Sequence, residues 1–427
     1  MEYVADPAAA MAHLAAADRF GEYVIYERPG VWVFAADPLG GVELDVGELR
    51  TVWAGETTAR GWTGSPAQVI DAALADLPLD GRTAYGWIGF EFCAYALAAT
   101  DYLTQRTPLA HLMIARIEVR IDAGGIAISG ATPSETCDIH DLIAESQSLT
   151  LPVATPVDVR TDPTNYRDRV ATAIAEIRSG GYQKVILSRT VELPFPVDLP
   201  ASYRLGRAHN TPARSFLLRL GGLEAAGFSP ELVASVDDDR IVTTEPLAGT
   251  RAFGRGVDAD GAARAELLAD PKEIVEHAIS VQTSFAEITA VAAPGTCAVS
   301  DFMAVRERGS VQHLASTVRG VLALDRSSWD ALEVLFPSVT ASGIPKRAGV
   351  DSVFRNDEPR GLYSGAVVAV SASGAFEATL VLRAVYQNGK GAWLRAGAGI
   401  VGQSRPEREF EETCEKLGSI APYVVKA

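Results

Sequence analysis

The chain has 427 residues with 38 Lys+Arg against 54 Asp+Glu, a formal net charge of −16, and is 48% apolar and 22% charged. These figures describe a folded protein with room for a large core and exclude a disordered chain. The acidic excess argues against nucleic acid or an anionic membrane as partner, since both recognise a basic footprint, and no run approaches the roughly 18 apolar residues of a membrane helix.

The first residues, Met1-Glu-Tyr-Val-Ala-Asp6, lack the basic and apolar regions of a secretory leader. Cys93, Cys137, Cys297 and Cys414 lie far apart and outside any metal-ligand spacing, as free thiols of a reducing compartment do. A cytoplasmic protein is expected. Short strands are expected at 23–26 and 31–34. Tyr85-Gly-Trp-Ile-Gly-Phe-Glu-Phe92 sets glycines among aromatics, as in a strand that another backbone approaches closely. A proline-punctuated stretch, 151–163, reads as an extended connection between an N-terminal region (1–150) and a C-terminal region (163–425).

Beyond it, Tyr166, Val170, Ile174 and Ile177 form a helical stripe that Gly180-Gly181 closes. A strand is expected at 182–193, a hairpin at 232–236 and 240–244 around Asp237-Asp238-Asp239, and a long helix at 271–290. Further strands are expected at 366–370, 377–385 and 392–396, then a helix at 406–417. Neighbouring strands with little helix between them favour antiparallel pairing and an α+β fold.

Several residues carry chemistry. Gly397-Ala-Gly399-Ile-Val-Gly402 spells GxGxxG, but no helix starts at its last glycine and no acid follows about 20 residues on, so a dinucleotide site is rejected. Its glycines suit either a close anion or a sheet corner. In the long helix Asp270 reads as N-cap, Pro271 as N1 and Glu273 as the far half of a capping box, while Glu276 lies one turn on, beyond any capping role. Glu409 and Glu412 repeat the ExxE spacing in the last helix, where Lys416 is placed for an ion pair with Glu412. Two such pairs could converge on one hard divalent cation or remain solvated faces. Lys184 stands inside an apolar strand, sharing a face with Ile186 and Ser188, and is either edge protection or a desolvated amine able to act as a base. Glu231, after Ser229-Pro230, is either an exposed turn residue or a carboxylic acid kept protonated by an apolar pocket.

In order, Lys184-Val-Ile-Leu-Ser-Arg189, Ser229-Pro-Glu231, Thr244-Glu-Pro-Leu-Ala-Gly-Thr250, Glu273-x-x-Glu276-His277, Phe336-Pro-Ser-Val-Thr340-Ala-Ser-Gly343-Ile-Pro-Lys346, Gly361-Leu-Tyr363-Ser-Gly365, Arg395-Ala-Gly-Ala-Gly399-Ile and Glu409-Phe-Glu-Glu412-Thr-x-x-Lys416 resemble the motifs of the chorismate-utilising enzymes. The resemblance implies large, mainly antiparallel sheets with helices packed outside, the two regions forming one compact unit. Lys184, where ammonia-using relatives have glutamine, together with Ala248 and Thr340, resembles the salicylate-forming branch that serves mycobactin-type siderophores.

On that resemblance Lys184 is the base that activates water at C2 of chorismate, and Glu231 is the acid that protonates the departing C4 hydroxyl. Glu276 and Glu412 hold Mg²⁺, assisted by Glu273 and Glu409 through water. Gly249, Thr250, Tyr363, Arg383, Lys416 and the amides of Gly397, Ala398 and Gly399 bind substrate, with His313 and Thr340 near the geometry of pyruvate loss. A monomer with no amidotransferase subunit is implied. Two alternatives stay open: an enzyme that releases isochorismate, and a non-catalytic or amidotransferase-partnered subunit.

Overall fold

In the computed structural model, which describes residues 4–427, the strands pair antiparallel and join in one branched ladder. It starts at Gly343–Ile344 and runs through Lys184–Leu193, Gly391–Ile400, Ala384–Asn388, Leu223–Ser229, Arg214–Leu220, Tyr23–Arg28 and Val31–Asp45. It continues through Pro108–Asp122, Thr83–Ile88, Ala366–Ser371, Phe376–Leu380, Leu232–Val236 and Ile241–Thr244 to Val311–Val321. Leu247–Ala252 and Ala298–Arg308 both pair with that last strand. Strands on either side of 151–163 therefore share the ladder.

Period-2 alternation sorts side chains between layers. In Tyr23–Arg28, Val24 and Tyr26 join a core built with Tyr85, Trp87, Phe216, Leu218 and Val367, where strand faces its own ladder folded back. Tyr23 and Ile25 point the other way, under the helices Pro7–Ala16, Pro133–Ser146 and Leu199–His209. A third core packs Tyr166–Arg178, Pro271–Val291, Ser328–Leu335, Lys346–Asn356 and Pro406–Leu417 against the remaining outer face. The expected layout, large antiparallel sheets with helices outside, is the one observed.

Helices expected at 166–177, 271–290 and 406–417 are found as Tyr166–Arg178, Pro271–Val291 and Pro406–Leu417. The close approach expected around Gly86 is real: a Cβ there would lie 2.0 Å from the His111 carbonyl oxygen. The 151–163 stretch has no regular structure, yet it is tied down, with Thr155 N–H donating to the Val424 carbonyl and Arg189 donating to the carbonyls of Val159 and Thr161. One expected strand is wrong. Residues 377–385 form two strands, Phe376–Leu380 and Ala384–Asn388, broken where Arg383 takes φ +52°. A left-handed conformation is unfavourable for a non-glycine residue and ends ladder pairing. The apolar run itself gives no hint of the break. Among the described residues no helix is long and apolar enough to cross a membrane.

Candidate active site

Near the two ends of the ladder a cavity of about 690 Å³ is lined by Lys184 and the Gly391–Ile400 strand from one end and by Glu231, Leu247–Ala252 and His313 from the other. The helices Pro271–Val291 and Pro406–Leu417 supply the remaining wall. Every candidate residue chosen from the sequence lines it except Ala398, which is fully buried on the opposite face of its strand. A larger cavity, about 1210 Å³, shares Arg395 with this one but contains none of the residues chosen for chemistry. The smaller cavity is therefore the candidate site.

Lys184 is 4% exposed and its strand is flanked on both sides, by Gly343–Ile344 and by Gly391–Ile400, which removes the edge-protection reading. Its face is the expected one: Ile186 lines the cavity with it, while Val185 and Leu187 enter the core. The Lys184 ammonium donates to Glu276 Oε1 at 2.7 Å. Gly399 makes this possible, because a Cβ there would sit 3.2 Å from Lys184 Cε and 3.4 Å from the Glu276 carboxylate.

Glu231 is 1% exposed and not a surface turn. Thr340 Oγ1 donates to its Oε1, and the Leu247 amide donates to its Oε2 at 2.8 Å. Burial pushes the carboxyl from 4.5 up to about 7, although both bonds favour the ionised form. At neutral pH a substantial fraction is therefore protonated, as a proton donor requires. Thr340 is committed to this acid.

Four carboxylates converge from the two helices. Burial works to lower the Lys272 ammonium, yet the charges of Glu273, Glu276, Glu409 and Glu412 raise it, so all four lie within electrostatic reach of one point. Burial and the neighbouring Glu276 charge raise Glu273; burial and Glu412 raise Glu409. Glu409 Oε2 is buried without a hydrogen-bond partner. Although burial favours its neutral form, Glu276 is held below the usual carboxylate range by Lys184, Lys272 and Lys416. Oxygen-only donors, mutual repulsion and an orphaned buried oxygen fit a hard divalent cation such as Mg²⁺. Among the described residues no three acidic, His or Cys side chains already stand in a metal-holding arrangement, because Glu276 is bonded to Lys184 and Glu412 to Lys416 at 2.9 Å. The capping box expected at Glu273 is not formed. Asp270 caps alone, accepting from the amides of Lys272 and Glu273, and the Glu273 carboxylate turns to Arg251 at 3.2 Å. Gly249, at φ +84°, gives it room, since a Cβ there would lie 3.1 Å from Glu273 Oε2.

In the cationic part of the wall, Arg383 stands without a counter-ion. Among the described residues no carboxylate lies within ion-pair distance of Arg383; it donates to the Arg308 carbonyl at 3.1 Å and to His313 Nε2. Burial and the Arg308 charge bring its guanidinium down to about 10. Because guanidinium only donates, His313 Nε2 accepts, and its proton sits on Nδ1 facing Thr250 Oγ1 at 3.0 Å. Burial and Arg383 hold this imidazole neutral. A buried, unpaired guanidinium between fixed partners is suited to a carboxylate ligand. Lys416 donates to the Gly397 carbonyl at 3.0 Å as well as to Glu412, and Tyr363 Oη would stand 2.9 Å from a Cβ on Gly397. Gly397 thus leaves room for the Tyr363 hydroxyl.

Sequence reading missed the support beneath the wall. Asp357, 1% exposed at its side chain, gathers Arg169 at 2.7 Å, Arg360 at 2.8 Å and Arg395 at 3.7 Å, and accepts from the Ser188 hydroxyl at 2.6 Å. Glu91, inside the aromatic–glycine stretch, accepts from the amides of Arg360 and Gly361 at 2.7 and 3.0 Å and fixes the turn that carries Tyr363. The Arg395 guanidinium lies 5.2 Å from the Tyr363 ring centroid. Apart from Asp357 and Arg360, three residues apart, no spacing links these residues; burial of unlike charges is the signal that could have pointed to them.

Residues 35–422 match the family of chorismate binding enzymes. The chain is 53% identical over 424 residues to the salicylate synthase of Mycolicibacterium paratuberculosis, covering 98% of this chain and 94% of that protein. Over 304 residues it is 38% identical to an anthranilate synthase component 1 of Halobacterium salinarum, covering 67% of this chain and 58% of that one. Among solved structures it is similar to anthranilate synthase component I from Streptococcus pneumoniae (TM-score 0.74, 24% identity, 92% of each chain). The menaquinone-specific isochorismate synthase of Escherichia coli has the same fold (TM-score 0.74, 20% identity, 98% of this chain and 91% of that).

Proposed function

From the premise that this chain belongs to the chorismate binding enzymes, we propose that it has salicylate synthase activity, converting chorismate through isochorismate to salicylate and pyruvate. The observation that carries the reading is a shielded lysine and a carboxylic acid raised to about 7 on one cavity that also holds an unpaired guanidinium. Full-length identity with a salicylate synthase selects the activity within the family.

Arg383, with Lys416 and Tyr363 beside it, binds the substrate carboxylates. Lys184 takes a proton from the water that attacks C2, and Glu231 gives its proton to the departing C4 hydroxyl, so proton removal comes from the strand Lys184–Leu193 and delivery from the turn between Leu223–Ser229 and Leu232–Val236. Loss of pyruvate needs the side chain of isochorismate held over the ring, a matter of orientation rather than of another base. Glu276 and Glu412, with Glu273 and Glu409 behind them, would hold Mg²⁺, which when bound neutralises a substrate carboxylate. The same reading makes the protein a cytoplasmic monomer that needs no amidotransferase, since water is the nucleophile, with its product entering mycobactin-type siderophore biosynthesis.

The test is incubation with chorismate and Mg²⁺, with chromatography of the products. Salicylate and pyruvate in equal amounts, abolished by a chelator, are expected. Isochorismate alone would move pyruvate loss to another enzyme; unconsumed chorismate would overturn the assignment.

A further inference from the structure

Segment 336–345, between the helices Ser328–Leu335 and Lys346–Asn356, touches both the acid and the base. Thr340 donates to Glu231 on one side. On the other, Gly343 and Ile344 pair with Val185 and Lys184, the Ser342 carbonyl accepts from the Ile186 amide at 2.9 Å, and the Ile344 carbonyl accepts from Gln183 at 2.8 Å. The alignment of acid against base therefore passes through these few residues.

Lys346 closes the segment. Its ammonium donates to the carbonyls of Val334 and Leu335, 3.2 Å each, at the end of the preceding helix, and pairs with Glu287 Oε1 at 2.5 Å on Pro271–Val291. Three donors meet three acceptors, and both side chains are nearly buried, 10% and 15% exposed. One group thus joins the two ends of the segment and fastens them to the helix that carries Glu273 and Glu276. Lys346 does not line the cavity, so it has no part in the chemistry itself.

We propose that Lys346 is a positioning residue for the acid–base pair, holding segment 336–345 so that Thr340 stays on Glu231 while Gly343 and Ile344 stay on the Lys184 strand. The proposal rests on Glu231 being the acid. Lys346→Met keeps the stem but frees both ends of the segment and draws Thr340 away from the carboxylate. Glu231 then loses a bond that favours its ionised form, and burial raises it further. The groups facing it are Thr340, Ser338 and the Leu247 amide, with the charges of Glu245 and Arg383 at longer range; only the first two move with the segment. Because Glu231 acts protonated, kcat falls as pH rises through its ionisation, and a higher ionisation carries that alkaline limb to higher pH.

The experiment is the pH profile of kcat, pH 6 to about 9.5, for the full chain with Mg²⁺ and its Thr340→Val, Lys346→Met, Lys346→Arg and Glu287→Gln variants. Lys346→Met should lose roughly 10- to 100-fold in kcat at neutral pH with KM little changed, and its alkaline limb should move up as it does in Thr340→Val. Lys346→Arg, which can bond the same acceptors, should recover most of the rate. If Thr340→Val moves the limb and Lys346→Met lowers only amplitude or melting temperature, the proposal is overturned. If Thr340→Val leaves the limb in place, it is the assignment of Glu231 that fails. Should Lys346→Met not fold, Glu287→Gln decides: an upward limb supports the proposal and an unmoved one refutes it.

Discussion

Replacing Glu231 by Gln should separate catalysis from stability. Burial holds this carboxyl at about 7 against 4.5 in the open chain, and at about 1.4 kcal/mol per pH unit the gap amounts to roughly 3 kcal/mol. The folded chain keeps the proton where the unfolded chain has lost it. This contribution to stability is thus present below about 4.5 and lost as pH rises through about 7. Glutamine cannot ionise, so the variant should gain on the wild type across that window, up to about 3 °C in Tm for a chain of this length. It fits without a new unsatisfied group: its carbonyl can accept from the Leu247 amide, and its amide can donate to Thr340 Oγ1, whose own proton turns to Ser338 Oγ at 2.7 Å. Catalysis should nonetheless fall about 10²- to 10⁴-fold, the usual contribution of a positioned acid. Melting curves from pH 5 to 9 beside kcat at each pH measure both effects. A variant within tenfold of wild-type kcat, or a Tm difference that does not change with pH, would refute the reasoning.

Lys184→Gln removes the base and leaves Glu276, 17% exposed at its side chain, without its main counter-charge. Turnover should vanish and stability should drop by about 3 kcal/mol. Added Mg²⁺ should restore part of the Tm by binding the freed carboxylate; melts indifferent to both substitution and Mg²⁺ would remove Glu276 from the cation site. Arg383→Gln should raise KM for chorismate roughly 10- to 100-fold, the loss of a charge-assisted bond, with KM from initial rates as the check. Unchanged KM would take Arg383 out of carboxylate recognition.

Local pattern was enough for the elements and for much of the donor chemistry. Period-2 alternation put Lys184 and Ile186 on one face, and proline, Asp270 and Gly180-Gly181 marked helix ends, because these features depend on neighbours within about four residues. The ExxE spacing likewise placed Glu273 with Glu276 and Glu409 with Glu412, each pair on one helix face. Which face meets which was a matter for the whole fold. Convergence of the four glutamates, the gathering of Arg169 and Arg395 on Asp357, and the bond from Lys346 to Glu287 join positions far apart in the chain. The break at Arg383 is of the same kind: an apolar run reads as one strand until packing forces a residue into a left-handed turn. Such contacts exist only once the ladder has folded back on itself, since burial and charge complementarity across its two ends, rather than any local preference, select them.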